Sequence, residues 1–210
     1  MSEKVTITWH GHACFKIECG GHSIVMDPYR GVDGYPELHL SAGAVMASHT
    51  QHDDHSAFDL VNIVEEEGDS PFRTETIACF HDDEGGSLRG ENKITIIEAA
   101  GKRIAHMGDL GHLLSEEQLD AVGKCDVMLI PVGGYFTIDA KGAKEIVDAA
   151  DPVVVIPMHY RSGSYGYDVI AEPDEFLSLC TDRRLIKQDG PSWEIDDSEE
   201  RRVVLLKFAE

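Results

Sequence analysis

Apolar and polar positions alternate with period two in three short runs near the start of the chain: Val5-Thr6-Ile7-Thr8-Trp9, Ala13-Cys14-Phe15-Lys16-Ile17 and Ser23-Ile24-Val25-Met26. Successive side chains of a strand point to opposite faces, so the pattern predicts half-buried strands, and Gly20-Gly21 between the last two predicts a tight hairpin. A shorter run, Ala44–Ala47, leads into a loop rich in histidine, and the stretch after it reads as helix-like to about Glu67, where Glu65–Pro71 breaks the pattern. Lys93–Glu98 and Lys102–His106 predict a second hairpin, turning through Ala99-Ala100-Gly101.

Beyond this point strands and helices alternate. Ser115-Glu116-Glu117-Gln118 has the spacing of a capping box and predicts a helix start. Val127–Ile130 and Val153–Ile156 are continuous apolar runs, the signature of strands covered on both faces. Between them, Ala143, Ile146, Val147 and Ala150 fall at helical spacing within Asp139–Ala150. A loop of Gly, Ser and Tyr (Arg161–Tyr167), a short helix near Glu172–Leu179 and a strand at Val203–Phe208 complete the pattern. Hairpins followed by strand–helix alternation predict a layered α/β protein with two sheets and outer helices.

At 210 residues and 42% hydrophobic composition, the chain is expected to form a single domain over residues 1–210. No apolar run approaches the roughly 20 residues that span a bilayer, and Met1-Ser2-Glu3-Lys4 leads straight into a strand pattern, so no membrane association and a cytoplasmic location are expected. The five cysteines are scattered and form no C-x-x-C pair. A net charge of −21 repels phosphate backbones and argues against nucleic acid as a partner. The pattern carries no information on oligomeric state.

Candidate chemistry is concentrated at strand ends. Ser48–Ser56 packs His49, His52 and His55 with Asp53 and Asp54 into one loop after a strand. Imidazole and carboxylate together suit Zn, Mn or Fe. His81, Asp109 and His159 also stand directly after apolar runs, where α/β sheets place their sites. No P-loop, G-x-S-x-G elbow or G-x-G-x-x-G competes with this reading.

In this order the segments resemble the metallo-β-lactamase superfamily over nearly the whole chain. Trp9-His10-Gly11-His12-Ala13-Cys14-Phe15, followed by Met26-Asp27-Pro28-Tyr29, is similar to the first strands of its lactonase-like and uncharacterised hydrolase branches. His52-x-Asp54-His55 resembles the end of the family's H-x-H-x-D-H motif, His81 its isolated histidine, Asp109 its bridging aspartate and His159 its last histidine. The resemblance implies a four-layer αββα sandwich holding one or two divalent ions, Zn first, with Mn or Fe as alternatives. It implies one ion held by His52, His81 and a further ligand from the first motif, another held by Asp54, His55 and His159, and Asp109 between them. The implied activity is hydrolysis of a small-molecule ester, lactone or phosphoester by a metal-bound hydroxide.

In one place the chain departs from the family spacing. Ser48-His49-Thr50-Gln51-His52 is one residue longer than the family pattern, so either Thr50 occupies the first ligand position or His49 reaches it across a bulge. Smaller expectations concern the surroundings. Asp27 is a candidate to orient a ligating histidine, though Asp-Pro after a strand is equally ordinary turn chemistry. His12 and His112 are candidates to line the cleft as proton donors, with Asp54 and Asp109 as the catalytic carboxylates. His10, His22, His39 and His106 are expected to be structural. Arg161, Tyr165 and Tyr167 could meet substrate from their loop. The alternatives are a ligand sensor of the same fold that has lost metal, and a di-iron redox protein. A nuclease fits poorly, given the acidity and the absence of room for an inserted domain.

Overall fold

A computed structural model describes residues 3–51 and 55–208. The alternating runs form β1 (Val5–Trp9), β2 (Phe15–Cys19) and β3 (His22–Met26), an antiparallel meander in the register Ile7↔Ile17↔Ile24. Alternate positions, among them Ile7, Phe15, Ile17 and Met26, enter the main core, while Thr6, Thr8 and Lys16 face outward and are only partly covered. β4 (Leu40–Ala42), β5 (Ala44–Met46) and β6 (Val61–Ile63) follow. Val25, on the opposite face of β3 from Ile24, packs with Tyr29, Val32, Leu38, Ala42 and Val61 in a second, smaller core.

That smaller core corrects one expectation. The stretch up to Glu67 is not a helix: it holds a 3-10 turn, Phe58–Leu60, and then β6, which pairs in parallel with β4. Ala57, Leu60, Val61 and Val64 do have helical spacing, but the β-branched Val61 and Ile63 favour extended backbone, and β4 offers a partner for it.

The second sheet opens with β7 (Arg73–Phe80), β8 (Glu91–Ala99) and β9 (Lys102–His106). The predicted hairpin is β8–β9, turning at Ala100, whose φ is +50°, and Gly101. Helix α1 (Glu116–Val122) begins at a full capping box in which Ser115 and Gln118 serve each other's backbone N–H. β10 (Val127–Pro131), α2 (Ala140–Ala150) and β11 (Val154–Met158) form a parallel crossover, with the Asp139 carboxylate accepting from the N–H groups of Lys141 and Gly142 at the start of α2. α3 (Asp174–Leu179), β12 (Arg184–Lys187), β13 (Ser192–Glu194) and β14 (Arg202–Leu205) complete the chain, the last strand ending before the Phe208 expected of it.

The first sheet has the order β13-β1-β2-β3-β5 and the second β12-β14-β11-β10-β9-β8-β7. β10 and β11 are buried along their whole length, as the continuous apolar runs require of strands covered on both sides. One cluster of buried apolar side chains links the sheets and reaches the helices, from Ile7 and Phe15 through Ile104 and Leu129 to Val147 and Phe176. At roughly 25 cal/mol per Å² of apolar surface buried, this cluster is the main stabilising term. The polar candidates sit where β1, β3, β5, β7, β9 and β11 end, so the packed sheets fix their spacing.

Candidate metal centre

Each candidate side chain leaves a strand through a short, constrained turn. Three of them, His12, Asp27 and His159, hold φ values of +51°, +47° and +51°, a conformation that side-chain-bearing residues rarely adopt and that costs of order 1–3 kcal/mol each. The strain is supported by the backbone: the His12 carbonyl accepts from Trp9 Nε1 at 3.0 Å and from the His159 amide at 3.1 Å, tying the end of β1 to the end of β11. Gly108 (φ +57°) turns β9 into Asp109 at a point where a Cβ would run into Asn92 and Ser48. Gly133 lies so close to the His159 carbonyl that a Cβ would collide with it.

Two groups of buried donors result. One donor atom each from His12, His55 and His159 lies within 4.8 Å of the others, and the same holds for His49, His81 and Asp109. Asp109 stands between the groups, its Oδ2 lying 3.2 Å from His55 Nε2, 2.9 Å from His81 Nε2 and 3.2 Å from His159 Nε2. Its amide donates to Asn92 Oδ1 at 3.0 Å, and Asn92 Nδ2 donates in turn to the Met107 carbonyl at 2.9 Å. Behind the centre, Asp27 accepts from the Ser48 amide (2.6 Å) and hydroxyl (2.8 Å) and lies 3.3 Å from His55 Nδ1. This contact orients the His55 ring, leaving Nε2 to face the donor group.

Burial and close packing shift the ionisation of these groups in opposite directions. Burial opposes ionisation of Asp109, but His159 and His55 beside it prevail and hold its carboxyl well below the usual carboxylate range. Burial likewise opposes a charged His55, yet Asp109 and Asp27 raise its pKa well above the ordinary imidazole value. Burial, reinforced by His159 and His55, pushes His12 well below that value, and burial takes His49 down to about 4, so both are neutral donors at pH 7. Both ring nitrogens of His12, Nδ1 of His159 and Oδ1 of Asp109 are buried without a hydrogen-bond partner among the described residues. Unbonded buried polar atoms are costly, and the two donor groups gathered on either side of Asp109 fit divalent ions held by imidazole and carboxylate.

Of the residues singled out in the sequence, His49, His55, His81, Asp109 and His159 are brought together, whereas His52 and Asp54 lie outside the described residues. His49 is buried beside His81 and Thr50 is exposed, the arrangement expected if the extra residue bulges outward. His12 is closer to the centre than a cleft-lining role required. Its signal was present in the sequence, a histidine after a strand and a glycine, but outside any ligand spacing.

His112 is elsewhere: its Nε2 accepts from the Phe80 amide at 3.1 Å and its Nδ1 donates to the Leu113 carbonyl at 2.7 Å, so both nitrogens are committed to backbone. His106 is structural, accepting from the Gly108 amide and donating to the Ala13 carbonyl, and His22 lies 3.3 Å from Glu66. Arg161 is paired with Glu172 at 3.2 Å. Tyr167 stands edge-on to His12 with ring centres 5.7 Å apart, while Tyr165 packs on Tyr35 and Phe208.

Two packed sheets with imidazole and carboxylate donors gathered at their strand ends define a metal-site protein of the metallo-β-lactamase fold. The profile of the beta-lactamase superfamily domain matches residues 6–159, and the chain belongs to that superfamily. A Thermoplasma acidophilum protein named a metal-dependent hydrolase is 29% identical over 212 aligned positions, covering 85% of this chain and 92% of its own. A crystal structure from Thermotoga maritima, described as a candidate Zn-dependent hydrolase of the metallo-beta-lactamase superfamily, is 32% identical and superposes with a TM-score of 0.76, covering 98% of this chain and 100% of its own. A metallo hydrolase from Ignicoccus hospitalis shares the fold at 20% identity, with a TM-score of 0.62 over 93% of this chain and 100% of its own.

Proposed function

We propose that the chain is a metal-dependent hydrolase of small-molecule esters, lactones or phosphoesters. The observation that carries this reading is the gathering of buried imidazoles around Asp109, where His12, His159 Nδ1 and Asp109 Oδ1 have no hydrogen-bond partner among the described residues. His49 and His81 would hold one ion, His55 and His159 with His12 beside them a second, and Asp109 would serve both, with His52 and Asp54 added from the family motif. Zn is the first choice, with Mn or Fe as alternatives. A divalent ion held there would supply hydroxide at neutral pH, by lowering the pKa of bound water to about 7, and would polarise the bond to be cut.

The chain's own residues prepare that chemistry. Asp27 orients His55 through Nδ1, and Ser48 holds Asp27 through two hydrogen bonds. No cysteine is placed as a rival nucleophile: burial pushes Cys79 and Cys180 up to about 11 and Cys125 up to about 12, where the thiolate is scarce. Buried free thiols also support a reducing, cytoplasmic setting, and no helix among the described residues is long and apolar enough to cross a membrane. A core shared by both sheets supports reading residues 1–210 as a single domain.

The test is turnover of a panel of lactones, aryl esters, phosphodiesters and phosphate monoesters. Activity should vanish with chelator and return with Zn or Mn. Turnover by protein shown to be metal-free, or a covalent acyl or phosphoryl adduct on the chain, contradicts the reading.

A further inference from the structure

We propose that Arg89 is the substrate-anion subsite of this centre, its guanidinium receiving a carboxylate or phosphate group at the end of the substrate remote from the bond being cut. The proposal rests on the hydrolase reading for what is cut, but not for what Arg89 binds.

Seven of the nine arginines form an ion pair with a carboxylate; among the described residues Arg73 and Arg89 form none. Arg73 is exposed at the start of the edge strand β7, whereas Arg89 is half-buried and held from several sides. Its amide donates to Asp82 Oδ2 at 2.7 Å, and the same carboxylate takes the amides of Glu84, Gly86 and Leu88, so the turn that follows His81 is pinned. Its Nη2 donates to the Tyr135 carbonyl at 2.9 Å, and its Cζ lies 6.0 Å from the centre of the Phe136 ring. Tyr135 holds φ at +61°, a left-handed conformation that is unfavourable for an aromatic residue, and it is the carbonyl of this strained residue that Arg89 uses.

From there a line of rings leads to the donor group. Phe136 lies 5.7 Å from Tyr167, and Tyr167 lies 5.7 Å from His12. The remainder of the Arg89 fork makes no hydrogen bond among the described residues. A guanidinium matches two oxygens of a carboxylate or phosphate at once, and one already oriented loses little freedom when it binds them. In a chain of net charge −21 an anionic substrate is repelled overall, so a pre-oriented guanidinium with no ion pair among the described residues, linked to the centre through Phe136 and Tyr167, is the feature that would admit one. The apolar stretch between Arg89 and His12 suits the carbon chain joining the anion to the scissile bond.

The test compares metal-loaded wild type, Arg89→Gln and Arg89→Lys, each shown to be folded by circular dichroism. Two esters are used, the anionic mono-p-nitrophenyl succinate and the neutral p-nitrophenyl acetate. The ratio of kcat/KM for the anionic over the neutral ester should fall about tenfold in Arg89→Gln, chiefly through KM, and recover in part in Arg89→Lys. Calorimetry with succinate and with inorganic phosphate, which needs no turnover, should show weaker binding by Arg89→Gln for whichever anion the subsite takes. An unchanged ratio, or equal binding of both anions by wild type and Arg89→Gln, overturns the proposal. If no protein turns over either ester, the binding comparison decides for Arg89 alone: tighter binding by wild type upholds it and equal binding overturns it, while the hydrolase reading is decided by the wider substrate panel.

Discussion

Asp27 shows how much of the centre depends on residues that would never touch a metal. Buried and at φ +47°, it joins Ser48 on the loop after β5 to His55, and burial, which opposes its ionisation, is overcome by His55 and His106. The Asp-Pro step was legible only as either a turn or an orienting carboxylate, and the geometry makes it both. His49 and Thr50 could not be ranked from spacing alone, because a bulge changes which residue faces inward without changing composition. With His49 buried and Thr50 exposed, His49→Ala should weaken divalent-metal binding by roughly tenfold or more, while Thr50→Ala changes it little. Equal affinities in a metal-competition titration would remove His49 from the centre.

At the scale of elements, strongly patterned segments were the legible ones. The β8–β9 hairpin, the Ser115 capping box, α2 and the paired apolar strands β10 and β11 each carry a local signal that agrees with its tertiary setting. β7 was legible only at its end, as the apolar run before His81, because Arg73–Ile77 has no buried face to read; it is an edge strand whose order comes from eight residues of pairing with β8. β12 and β13 are short, half-exposed edge strands and were invisible for the same reason.

The approach to β14 carries its own prediction. Arg202, buried and 5.4 Å from the Trp193 ring, makes two hydrogen bonds of 2.7 Å to Asp196. Those bonds are the main cause holding the Asp196 carboxyl below its usual range. A lowered carboxylate pKa contributes stability that is full above the ordinary value and lost as pH falls through the lowered one. Asp196→Asn should therefore cost about 1 kcal/mol at neutral pH, a modest figure because Asp196 is half-exposed to solvent. Urea unfolding should show the gap from wild type closing in acid, below about pH 4. A gap that persists unchanged at low pH would mean the pair acts through packing.

For the whole molecule, the two-sheet sandwich follows from hairpins in the first half and strand–helix alternation in the second, but only long-range pairing brings the strand ends together. His12 and His159 lie 147 positions apart in the chain and 4.0 Å apart by ring centres, a proximity that no local pattern encodes. The acidity, legible at once, argues against phosphate-rich partners more readily than it identifies one, and in the folded chain it makes an arginine with no ion pair among the described residues informative. The central claim is that these strand ends form a divalent-metal centre organised on Asp109. Its most direct test is metal bound per folded chain, measured by elemental analysis after exhaustive dialysis, for wild type beside Asp109→Ala, with circular dichroism on both. The account predicts one or two divalent ions on wild type and loss of most of that metal from a variant that remains folded. A wild type that binds none, or an Asp109→Ala protein that retains the wild-type content, would contradict it.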